Sequence, residues 1–92
     1  MRLALDSLVV LDAIERHGSF AAAAEALHRV PSAVTYAVQK LEEDLGVSIF
    51  DRSGHRAQLT EAGRELLREG RRLLVAAGEL ESRVKRVATG FE

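Results

Sequence analysis

The stretch GSFAAAAEALHRVPSAVTYAVQKLEEDLG, residues 18–46, decides the fold. It opens and closes on glycine, the residue that most readily takes the left-handed conformation ending a helix. Ser19, straight after Gly18, is a natural N-cap. Phe20, Ala23, Ala24 and Leu27 then fall at i, i+3, i+4 and i+7, one face of a short helix. The connection His28-Arg29-Val30 leads to Pro31, whose missing N–H costs nothing in the first turn of a helix. From there Val34, Val38, Leu41 and Leu45 form a second buried edge at i, i+4, i+7 and i+11, ending at Gly46. Two such helices joined by a tight turn make the pattern of a helix-turn-helix. Ala23 and Ala24 support it, because they stand where the two helices must approach closely.

On the N-terminal side, LDSLVVLDAIERH (5–17) predicts a first helix with a wide apolar face. Leu8, Leu11 and Ile14 lie near one side, and Val9, Val10 and Ala13 widen it, so more than one neighbour should cover it. On the C-terminal side, VSIFDRSGHRAQLT (47–60) alternates at Val47, Ile49, Ala57 and Leu59, with a turn at Ser53-Gly54. That predicts a two-stranded wing, anchored on the helices by Phe50 and carrying Arg52, His55 and Arg56 at or near its tip. Thr60 then caps a helix running to about Val87. The expected fold is mainly α: a winged helix-turn-helix of three helices and a two-stranded β wing, followed by a long linker helix.

The long helix carries a near-heptad seam, Leu66, Gly70, Leu73, Ala77, Leu80, Val84 and Val87, in alternating steps of four and three. It outruns the body of a small domain, so its apolar edge calls for a second helix: that of a homodimer partner, with packing back on the first helix as the alternative. Leu67 and Leu74, on an adjacent stripe, are placed to pack back on the first helix.

Composition narrows the function. The 92 residues suffice for one modest core, 47% apolar but only 4% aromatic. Without cysteine there is no disulfide and no thiolate metal site. The three histidines lack metal-ligand spacing, so no metal is expected. No apolar run approaches the roughly 20 residues that cross a bilayer, and Asp6 and Asp12 interrupt any secretory-signal core. Nothing supports an enzyme: no nucleophile with a nearby base and no glycine-rich phosphate loop. The net charge of −1 is unusual for a nucleic-acid binder, but its distribution is not random. Residues 26–41 contain no acid and hold Arg29 and Lys40; residues 52–60 contain none and hold Arg52, His55 and Arg56. Phosphate contacts need only such a local positive face.

Opposite the buried edge of the third helix lie Ser32, Thr35, Tyr36, Gln39, Lys40 and Glu43. A helix-turn-helix reads bases with the N-terminal part of this helix. Ser32, Thr35 and Tyr36 are therefore placed to meet base edges of double-stranded DNA, Pro31 to touch a thymine methyl, and Gln39 to pair with adenine. Lys40 and Arg29 are placed as phosphate clamps. Arg56 and His55 are placed for the adjacent minor groove, and Arg52 either joins them or ties the hairpin to the helices. Glu43 repels phosphate, so the far end of the helix should stand clear. A module that uses the same fold only for protein assembly remains the alternative. Salt dependence of duplex binding separates the two.

Taken together, GSFAAAAEALH (18–28), AVTYAVQKLEEDLGVSIFDR (33–52) and LTEAG (59–63) resemble the N-terminal domain of LysR-type transcriptional regulators, in the family's order and spacing. The resemblance covers nearly the whole chain. It implies a cytoplasmic, nucleoid-associated bacterial regulator whose linker helix pairs with that of a second subunit, presenting two winged motifs to a partly palindromic operator. It implies phosphate contacts at Ser19 and Thr60, no cofactor in this fragment, and higher oligomers in a full-length protein. It divides the chain into a DNA-binding domain at 1–59, a linker helix at 60–89 and the start of a hinge at 90–92, with the effector domain absent. The family often reads Ser-Gln-Pro before the third helix, where this chain has Val30-Pro31-Ser32, and an arginine where Tyr36 stands. The capping serine and two base readers common among relatives are thus replaced.

Overall fold

In a computed structural model, which describes residues 1–54 and 57–90, four helices and a small hairpin follow in the order α1 (Leu5–His17), α2 (Phe20–Ala26), α3 (Pro31–Leu45), β1 (Phe50–Asp51), β2 (Gln58–Leu59) and α4 (Glu61–Thr89). Helix α1 sits at the centre, touching α2, α3 and α4. Its wide apolar face is buried as expected: Leu8, Val10, Leu11, Ala13 and Ile14 are all in the core. Side chains such as Leu8 and Leu11 each contribute about 1.5–3 kcal/mol by leaving water.

Helix α2 begins where the Ser19 hydroxyl oxygen accepts the Ala22 N–H at 3.0 Å. Ala23 and Ala24 are buried to near zero exposure, and α3 comes up against them. The turn that follows was not legible as such. His28 is left-handed, with φ 56°, while its N–H donates to the Glu25 carbonyl and the Arg29 N–H to that of Ala24. This is the two-bond helix ending in which glycine usually holds the left-handed place. Histidine tolerates that region better than most residues, and a β-branched side chain would not.

Helix α3 buries Val34, Ala37, Val38 and Leu41. Leu45, expected on the same edge, is instead exposed, because it closes the last turn beyond the cover of α1 and α2. Gly46 terminates the helix at φ 67°. The expected alternation from Val47 is also corrected: Val47 and Ala57 face solvent, and each strand is two residues long, pairing Phe50 with Leu59 and Asp51 with Gln58. The Glu42 carboxylate accepts the Ile49 N–H at 2.8 Å, so residues 47–49 are held as a loop against α3 rather than as a strand. The wing anchor is as expected. Phe50 is buried and its ring meets that of Phe20 at 5.2 Å between centroids, tilted by 58°.

Helix α4 starts on Thr60, whose hydroxyl oxygen accepts the Gly63 N–H at 3.0 Å while its proton goes to the Ser48 carbonyl at 2.6 Å. Gly63 stands against the Ile49 carbonyl, where any Cβ would collide with backbone. Leu67 is buried, Leu74 is partly buried against the core, and a Cβ on Gly70 would reach to 3.0 Å from a Leu8 methyl. Leu67 and Leu74 thus pack back on the body as their stripe predicts. Gly70 joins them, a correction to its place in the intermolecular seam; Leu66 is also partly packed against the core. The 29 residues of α4 span about 43 Å at 1.5 Å each. Within a molecule measuring 54 × 26 × 19 Å, its second half therefore stands clear of the body.

Candidate nucleic-acid interface

The acid-free stretch of α3 becomes one continuous exposed face. Pro31, Ser32, Tyr36 and Gln39 are all exposed, Tyr36 by 64%, while Thr35 and Lys40 are half-buried along the flank. Val30, which sequence reasoning noted only as a missing cap, is 64% exposed at the mouth of the helix, and no side chain caps that end. The expected readers Pro31, Ser32, Thr35, Tyr36 and Gln39 are therefore presented together. Lys40 lies 3.6 Å from Asp44, a loose i,i+4 pair that leaves its ammonium able to turn outward. Glu43 is exposed near the far end.

Ser19 remains exposed, and its cap uses only the hydroxyl oxygen as acceptor. Arg29 is engaged within the fold. Its guanidinium is engaged bidentately by Asp6, at 2.7 and 2.9 Å, tying the turn before α3 to the first turn of α1. The hydrogen-bonded Arg29 holds the Asp6 carboxyl below its ordinary 3.8, against a lesser opposing effect of desolvation. Thr60 is a correction: with its proton on Ser48 and its oxygen on Gly63, the hydroxyl is spent as a cap and has no donor left for phosphate.

In the wing, Asp51 accepts the N–H and the hydroxyl of Ser53 at 3.0 and 2.7 Å, shaping the turn. Those two bonds lower the Asp51 pKa. The Arg52 guanidinium lies 5.3 Å from the centroid of the Phe20 ring, so the residue does tie the hairpin to α2. His55 and Arg56, expected at the tip, lie outside the described residues. Along α4, Leu73, Leu80, Val84 and Val87 are exposed and Ala77 is half-buried. Leu80, at 63% exposure, sits on a part of the helix left open by the described residues. Among the described residues no helix is long and apolar enough to cross a membrane.

The family model described as "Bacterial regulatory helix-turn-helix protein, lysR family" matches residues 5–64. The chain belongs to the lysR family. Probable HTH-type transcriptional regulator YhaJ of Escherichia coli (strain K12) is 57% identical over 90 residues, covering 98% of this chain and 30% of that protein. The lysR-family chain thus spans about a third of the length of that curated relative. Its fold matches the BenM_DBD/catB site 1 DNA complex with a TM-score of 0.90 at 27% identity, over 98% of this chain and 97% of that one. It matches the CbnR_DBD–DNA complex with a TM-score of 0.86 at 36% identity, over 94% and 99% of the two chains. The domain is thereby a LysR-type winged helix-turn-helix DNA-binding domain, and its relatives are transcriptional regulators rather than enzymes.

Proposed function

We propose that this domain binds a partly palindromic operator as a homodimer, with α3 in the major groove and the wing beside the minor groove. The observation that carries the reading is the exposed face of α3, where polar readers stand on a helix whose other side packs Val34, Ala37, Val38 and Leu41 into the core. Ser32, Thr35, Tyr36 and Gln39 meet base edges, with Pro31 as an apolar contact. Lys40 and Ser19 hold phosphates, and so do His55 and Arg56 from the wing; Arg52 braces the wing on Phe20. Arg29 and Thr60 act instead from within the fold, one by fixing the turn into α3 and the other by starting α4.

The dimer forms through Leu73, Ala77, Leu80, Val84 and Val87 of α4. Among the described residues none packs over them as core, and a regular heptad-like edge is satisfied by a second such edge. A chromosomal target places the protein in the bacterial cytoplasm.

Selection of bound sequences from a random duplex pool, followed by titration against salt, tests the reading. Two related half-sites and an affinity that falls steeply with salt are expected. Affinity insensitive to salt, or no enriched sequence, would overturn it.

A further inference from the structure

One polar contact joins α4 to the body across most of the chain: Arg71 donates from Nε to Asp12 of α1 at 2.7 Å. Asp12 is gripped from its other side by Arg16, again through Nε, at 2.8 Å. The carboxylate retains only 20% of its exposure, so this pair is shielded more than a surface salt bridge.

Thr60 and Arg64 add hydrogen bonds to the Ser48 and Leu59 carbonyls at the very start of the helix, and the rest of the joint is apolar or backbone. Gly63 lies on the Ile49 carbonyl, Leu67 is in the core, Gly70 lies on Leu8, and Leu74 closes the contact. These residues follow i, i+4, i+7 and i+11, the main line of contact along the helix, with Leu66 partly packed on the side away from Arg71. A line of close, non-directional contacts resists lifting α4 away but leaves it free to swing about that line. Arg71 projects to the flank of the line, about 80° round the helix from Gly63 by the 100° step. A directional contact off the line is what stops the swing.

The lever is the body itself. Across its long axis the molecule measures 26 × 19 Å, so at about 20 Å from the line a swing of about 10° moves the body by about 3–4 Å relative to the dimer seam. That is close to the roughly 3.4 Å rise of one base step.

We propose that Asp12, acting through Arg71, fixes the set of α4 on the body and thereby selects the spacing between half-sites that the dimer accepts. Asp12 is a positioning residue rather than a reader. The inference rests on the dimeric DNA-binding reading above, and its test separates the two.

The experiment measures binding of the 92-residue chain to duplexes carrying two copies of the selected half-site at systematically varied spacing, and to a single half-site. Wild type is compared with Asp12→Asn, Arg71→Ala and Arg71→Lys, each checked for dimer mass by sedimentation. Wild type should prefer one spacing over its neighbours by about tenfold or more, because a misfit must be met by deforming DNA. Asp12→Asn and Arg71→Ala should flatten that preference to within about threefold, with single-half-site affinity and dimer mass unchanged, and Arg71→Lys should restore part of it. A merely structural role would lower stability without moving the spacing profile. Should either folded, dimeric variant keep the wild-type profile, the inference is overturned while DNA binding stands. A wild type without any spacing preference overturns it too, and a wild type that binds no duplex overturns the reading beneath it as well.

Discussion

A methyl group on Gly63 would fall inside the van der Waals envelope of the Ile49 carbonyl oxygen. The backbone of α4 therefore rides directly on the loop that leads into the wing, and no side chain fits between them. Gly63→Ala should lower stability by about 1–3 kcal/mol or more, since the oxygen it would meet belongs to the backbone and cannot turn aside. Urea denaturation followed by circular dichroism measures this. A variant as stable as wild type would mean that α4 stands further from Ile49 than described.

The same joint depends on Thr60. Removing its hydroxyl in Thr60→Val takes away the cap for Gly63 and the donor to Ser48, a loss of about 1–2 kcal/mol. Because the hydroxyl is spent within the fold, the slope of log affinity against log salt should be unchanged. A reduced slope would return Thr60 to the phosphate contacts.

Acid should destabilise the domain, with Asp6 and Asp12 among the aspartates that carry the loss. Asp6 is held below 3.8 by Arg29; burial raises the Asp12 pKa, but hydrogen bonds from Arg71 and Arg16 outweigh it and also leave it below 3.8. A carboxylate with a depressed folded pKa contributes stability above its unfolded value and loses it as the pH falls through the folded value. Urea midpoints should thus hold steady well above pH 3.8 and drop below it. Asp12→Asn should be less stable than wild type at neutral pH and lose less on acidification. Parallel acid profiles for the two proteins would show that Asp12 is not part of the linkage.

On α3, side chains divide by what they touch. Tyr36→Ala should change the selected sequence, whereas Lys40→Ala should weaken binding to all duplexes alike and reduce the salt slope by about one. An unchanged selected-site profile for Tyr36→Ala would move the reading face elsewhere.

Glutamate at Leu73 and Leu80 together should yield monomers in sedimentation with the head still folded, because both side chains are exposed and neither supports the core. A surviving dimer would place the seam on another surface.

Much of this was legible because periodicity reports which side of a helix is covered. Ala23, Ala24, Val34 and Val38 follow directly from it, as do the caps at Ser19 and Thr60 and the glycine stops. What escaped depends on partners far apart in the chain. Nothing local to Arg29 announces Asp6, and nothing local to Arg71 announces Asp12. Glu42 reads as one of three consecutive acids, yet its carboxylate ends on the Ile49 N–H and turns an expected strand into a loop. Gly70 fits the spacing of two stripes at once, and only the position of Leu8 decides between them. Gly63 could have been singled out sooner, since it closes the LTEAG stretch that carries the family resemblance.

The unbroken course of α4 has a consequence for abundance. The turns that cover Leu8 and the turns that carry Leu80 belong to one rod, so a helix end steadied by a partner also steadies the core at its root. With the proposed dimer, mass action reaches into the head: more concentrated solutions should melt at higher temperature, and dilution should loosen the fold. On that reading, copy number itself determines how well each copy is folded.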